Sequence, residues 1–125
     1  MGLKIKGNEM KIRILGNSIR VRLTKSEVRA LWEQGQIEES TAFTTNTLVY
    51  CVKQHGLAEL QVDFKDNQII LLIPQLMADA LYNTQKVGFE NNLGPVSILI
   101  EKDFACLDRK AEDQSDHYPN PLSNL

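Results

Sequence analysis

Lys11, Arg13, Arg20 and Arg22 stand at alternate positions on either side of Gly16-Asn17. Cations repeated at strand spacing make a multipoint anion site. A guanidinium offers five donors in a planar fork that fits carboxylate or phosphate, and an ammonium adds a point charge. A second set of chemistry-bearing side chains lies near the C-terminus: Cys106, Asp108, Glu112, Asp113, Asp116 and His117. A thiolate, an imidazole and carboxylates together suit zinc or another divalent ion, with Cys106, Asp113, Asp116 and His117 as candidate ligands. Their spacing follows no established metal motif. An acidic stretch ending in Tyr118-Pro119-Asn120-Pro121 is more often solvated or docked on its own domain. No organic cofactor is implied.

Other reactive side chains are isolated. Cys51 falls within an apolar run and Cys106 near the end of one, which reads as inert thiols, since neither has a patterned His or Asn partner. His55 beside Gly56 reads as a turn histidine in water. Glu38-Glu39 and the Glu59/Asp63 pair are spaced as a wet sheet face or as partners of the basic segment. Phosphate-loop, nucleophile-elbow, zincin and dinucleotide motifs are absent from the sequence. Enzymatic function is therefore not favoured. One enzyme-like alternative remains: alternating basic and acidic strands curled into a barrel would make a nucleotide or triphosphate tunnel, or a metal-dependent hydrolase.

The elements that must position these residues follow from periodicity. Lys11 to Leu15 and Ile19 to Leu23 alternate apolar with basic residues, and Gly16-Asn17 suits a two-residue hairpin turn. That turn sets Ile14 opposite Ile19 and Ile12 opposite Val21. On the other face Arg13 meets Arg20 and Lys11 meets Arg22. Like charges across a ladder destabilise it, so a layer of carboxylates is expected over them, with Glu38, Glu39, Glu112, Asp113 and Asp116 as candidates. Thr24-Lys25-Ser26-Glu27 is a capping box opening a helix that Gly35 ends. Strands are expected from Ile37 to Phe43, Thr47 to Val52, Ala58 to Lys65, Gln68 to Ile73 and Val96 to Glu101. Asp66-Asn67 turns a second hairpin, and Pro74 starts a short helix ending near Asn83. Ile70 and Leu72 fall on the hydrated face of that hairpin, so a helix or a second copy should cover them. No repeat array or heptad run is evident.

The fold expected is α+β: a mostly antiparallel curved sheet or partial barrel of six to seven strands with two short helices. Residues 1–125 read as a single domain, with 107–125 a polar tail. At 42% hydrophobic and 24% charged residues, the chain has core enough without disulfide or metal. The longest apolar run, Ile69 to Ile73, is too short to span a bilayer, and no membrane partner is expected. The basic, alternating N-terminus lacks the apolar block of a secretion signal, and two cysteines allow at most one disulfide. A cytoplasmic protein with reduced thiols is the expectation. Its net charge of -2 is segregated. The first 30 residues carry eight basic groups against two acidic, a net of +6, and the remaining 95 carry six against fourteen, a net of −8. Such segregation means internal neutralisation or an external anionic partner.

Two resemblances bear on this reading. The segment Gly16-Asn17-Ser18-Ile19-Arg20-Val21-Arg22-Leu23-Thr24-Lys25 resembles the start of swapped-hairpin regulators and antitoxins of the AbrB/MazE type. In those, basic residues beside the turn face DNA, which implies Arg13, Arg20 and Arg22 here. The chain departs from them at Thr24, where they favour proline. A second resemblance spans nearly the whole chain. Lys11-Ile12-Arg13, the Gly16–Val28 segment, Gly88-Phe89-Glu90-Asn91, Glu101-Lys102-Asp103-Phe104, Cys106-Leu107-Asp108, Glu112-Asp113-Gln114-Ser115-Asp116 and Tyr118-Pro119-Asn120-Pro121 are similar to a family of small bacterial proteins of unknown function. That resemblance implies that the tail belongs to the protein. The expected function is a non-enzymatic binding module whose basic hairpin faces an anionic surface or its own acidic tail. A DNA-binding regulator is the alternative, with homodimerisation possible in either case.

Overall fold

The computed structural model describes residues 10–104, 116, 118 and 119. In chain order it runs β1 (Lys11–Leu15), β2 (Ser18–Leu23), α1 (Lys25–Gln34), β3 (Gln36–Ala42), β4 (Thr47–His55), β5 (Gln61–Lys65), β6 (Gln68–Pro74), α2 (Gln75–Asn83), β7 (Gly88–Asn91) and β8 (Ser97–Lys102). Local chemistry fixes the corners. Gly16 turns the first hairpin with φ 55°, and Asp66 and Asn67 turn the second at 52° and 61°. Asp and Asn tolerate that left-handed region better than other side-chain-bearing residues. The Thr24 backbone N–H donates to Glu27 Oε1 at 2.9 Å, completing the capping box of α1. Gly35, at φ 85°, closes α1 by donating its N–H to the Leu31 carbonyl. Helix α2 has no glycine there. The Lys102 ammonium instead donates to the Thr84 carbonyl at 3.0 Å, placing a cation at the negative helix end.

Eight strands form two four-stranded sheets, in the orders β1-β2-β8-β7 and β3-β4-β6-β5. This corrects the expected single curved sheet or partial barrel of six to seven strands. In each sheet two antiparallel hairpins meet along a central parallel pair, β2 with β8 and β4 with β6. No closed barrel forms among the described residues, so the tunnel required by the triphosphate reading is missing. The strand not anticipated is β7, four residues in which Phe89 is the one large apolar side chain, too little for an alternating pattern. Pro74 caps α2 as the last residue of β6 and does not enter the helix.

The order of elements repeats: hairpin, helix, hairpin, then again hairpin, helix, hairpin. Exchanging the two halves carries β1-β2-β8-β7 onto β5-β6-β4-β3, so each sheet takes one hairpin from each half. The equivalent hairpins lie fifty residues apart, Lys11 against Gln61. Burial repeats with them. Met10 and Leu60, Val21 and Leu71, Leu23 and Ile73, Val28 and Ala78, and Leu31 and Leu81 are all core residues. Trp32 and Tyr82, also equivalent, stack between the helices with centroids 4.5 Å apart and planes 15° from parallel. The duplication is invisible as residue identity. Only Asn17/Asn67, Ile19/Ile69, Ala30/Ala80 and Leu31/Leu81 coincide from the first strand to the end of α1. Hydrophobic size and position persist while the residues differ, a twofold correspondence distinct from the repeat array or heptad run that the sequence lacks.

The inner faces of both sheets and one stripe of each helix share the core. Hairpin tips run beyond it, leaving Phe64 64% exposed although it points to the core side. Ile70 and Leu72, on the far side of β6, are half-buried. The helices pack on the Leu71 and Ile73 side, so no helix supplies their expected cover.

Candidate anion-binding face

The outer face of the first sheet is built by alternation. Ile12, Ile19 and Val21 point into the core, which turns Lys11, Arg13, Arg20 and Arg22 outward. Arg13 pairs with Arg20 and Lys11 with Arg22, the register that the turn dictates. The neutralising layer is strand β8. Its parallel register sets Glu101 opposite Arg22. Glu101 Oε1 accepts from the Arg22 Nε–H at 3.1 Å and forms an ion pair with Arg20, 3.2 Å from its Nε. Two residues on, the buried Asp103 holds the Lys11 ammonium at 2.9 Å. Arg13 is exposed and has no salt bridge among the described residues. Two guanidiniums thus share one carboxylate oxygen, and the third, Arg13, stands beside them without one.

Two shallow hollows border this face. One, of about 530 Å³, lies beside Glu101 and is floored by Gly88, whose added Cβ would sit 2.5 Å from the Ile100 carbonyl oxygen. The other, of about 220 Å³, is lined by Ser18, Arg20, Asn92, Ser97 and Leu99. A third cleft, of about 390 Å³, opens between the start of β5 and the β7–β8 loop, with Glu59 as its lone titratable lining residue.

The other candidates fall elsewhere. Glu38 points out from the second sheet and Glu39 lies on the opposite face of β3, so the two do not converge as a catalytic pair. Asp116 sits at the start of α1, not on the basic hairpin. Its carboxylate accepts from the Ser26 backbone N–H at 3.1 Å and the Ser26 hydroxyl at 2.6 Å, and its carbonyl accepts from the Lys25 N–H. Tyr118 pairs as an isolated bridge with Phe104, its ring 4.8 Å from the Lys102 ammonium. Burial pushes the Tyr118 hydroxyl up to about 12, and desolvation lowers the Lys102 ammonium. Cys106, Glu112, Asp113 and His117 lie outside the described residues. Among the described ones no three His, Cys, Asp or Glu side chains group to hold a metal. Cys51 is a free thiol raised above its ordinary value by burial, and His55, expected in a solvated turn, is instead the half-buried last residue of β4, its ring nitrogen 3.0 Å from the Glu59 carbonyl oxygen.

Glu27 stands out electrostatically. Burial is the main cause that pushes it up to about 7, against the Thr24 hydrogen bonds, and nearby Asp116 and Glu39 add to the rise. Below the ordinary pKa of 4.5 both folded and unfolded chains hold the proton. Between there and pH 7 only the folded chain does, so stability falls as pH rises through that window. Glu27→Gln keeps an acceptor for the Thr24 N–H and removes the titration. Wild type should lose about 1–2 kcal/mol more than the variant between pH 5 and pH 8. Urea midpoints at both pH values check this, and parallel slopes for the two proteins would refute it.

The model of a family of unknown function, DUF7009, matches residues 10–122. The chain belongs to this family. The matched span takes in all eight strands, both helices and the four outward basic residues. No curated protein and no solved structure matches the chain. No helix among the described residues is long and apolar enough to cross a membrane. Sequence reasoning missed Glu101, Asp103 and Gly88 as parts of this face. The alternation of β8 that turns Glu101 outward was visible, but the pairing of β8 beside β2 was not.

Proposed function

We propose that this family member is a non-enzymatic binding module whose β1–β2 face takes a polyanionic partner. The observation that carries the reading is the charge imbalance of this face, where Arg20 and Arg22 share a single oxygen of Glu101 and Arg13 beside them has no salt bridge among the described residues. The hydrogen bond to Glu101 uses one of the five donors of Arg22 and the ion pair engages only the Nε side of Arg20, leaving their other donors and those of Arg13 for phosphate or carboxylate oxygens. The test is binding of labelled single-stranded DNA, duplex DNA and inorganic polyphosphate across a salt series. Affinity should fall linearly on a log–log plot, and the double variant Arg13→Ala/Arg20→Ala should flatten the slope by about two. Equal affinity and slope for variant and wild type would sink the reading.

A DNA-binding regulator is the second reading, favoured by the exchange of hairpins between the two halves. That exchange is the arrangement of the regulators which the Gly16–Lys25 segment resembles, and Pro74 stands where the second half is equivalent to Thr24. The chain departs from a symmetric reader of DNA because the second hairpin carries Asp63, Ile70 and Leu72 where the first has Arg13, Arg20 and Arg22. Preference for duplex over polyphosphate at matched salt would favour this reading, and no preference would favour the general anion module.

A further inference from the structure

We propose that a second copy of this chain docks on the outer face of the second sheet, with the two sheets crossed at near right angles. The duplication makes the comparison direct, because each outward position of this sheet has an equivalent on the basic one. Ile70 and Leu72 replace Arg20 and Arg22, and the parallel register puts Cys51 beside Ile70 and Lys53 beside Leu72. An apolar centre thereby replaces a charged one. Its edge strands carry Glu38 on β3 and Asp63 and Lys65 on β5, and the central β4 carries Lys53. Two cations and two anions balance, so the face meets its own copy without net repulsion.

Register also selects the crossing. Glu38, Cys51, Ile70 and Asp63 lie in one row across the sheet, carboxylates at both ends. Stacking two copies with strands aligned would set carboxylate over carboxylate. Orthogonal packing, one of the two common modes for sheets, instead brings Lys53 of each copy over a terminal carboxylate of the other and keeps the half-buried Ile70, beside the already covered Cys51, near the centre.

The experiment is the solution mass of the full chain by light scattering at about 50 μM, where a micromolar interface is occupied. Wild type is expected at twice the chain mass. The double variant Ile70→Arg/Leu72→Arg should be monomeric with an unchanged circular dichroism spectrum. Folding is expected to survive, since the equivalent strand already carries arginine at both places. Lys53→Glu, a surface change, should weaken association by about tenfold. Monomeric wild type would overturn the proposal. So would a double variant that stays dimeric, which would place any interface elsewhere, for instance along an open sheet edge.

Discussion

Leu31→Ala and Leu81→Ala will each destabilise the protein by about 3 kcal/mol, and by amounts that agree within about 1 kcal/mol. The two leucines are 0% and 1% exposed and occupy equivalent places on α1 and α2. Each fills the space between its helix and the inner faces of both sheets. Truncation removes the transfer free energy of the buried methyl groups and leaves a cavity in a close-packed core that relaxes only in part. The neighbours of the two sites differ mainly in bulk: Val28 precedes Leu31 by one turn, whereas Ala78 precedes Leu81. Denaturant melts of both variants check the result. A loss at one site several times that at the other would mean that the two halves do not share the core as equivalents.

Glu101→Gln should tighten binding of polyanions by about tenfold while lowering stability by no more than about 1 kcal/mol. The carboxylate competes with any incoming anion for Arg20 and Arg22, and it is itself mostly covered, with 19% of its side chain exposed. Both guanidiniums are well exposed, so losing the ion pair returns them to water at little cost. Glutamine keeps an acceptor for one Nε–H and withdraws the charge. Unchanged affinity for polyphosphate and DNA, in a variant whose melt is normal, would show that anions do not engage these two arginines.

The sequence made both tight hairpins legible, because alternation and turn chemistry act over a few residues. Ile14 facing Ile19 and Phe64 facing Ile69 are local consequences of two-residue turns. Helix α1 was equally readable from Thr24, Glu27 and Gly35. Parallel pairing has no such local signal, and that is why the carboxylate over Arg20 and Arg22 was sought in the tail and in β3, and not in β8. The tail's described residues dock, but on the start of α1, where unpaired helix N–H groups attract Asp116 more directly than a sheet face does. The separation of Ile70 and Leu72 from both helices follows from the same long-range pairing.

The exchange of hairpins sets the tempo of folding. Neither half can complete a sheet with its own strands, since each needs the other half's hairpin beside it. Arg22 and Glu101, which meet across the parallel seam, are 79 residues apart in the chain. The seam therefore forms only after most of the chain has been looped back, an entropic toll that contacts within one hairpin never meet. Four hairpins and two helices can flicker into being early and alone, but the seams between β2 and β8 and between β4 and β6 must then close together. Such a chain gains its order late and all at once, and two molecules caught before closure hold complementary halves that can be traded between them.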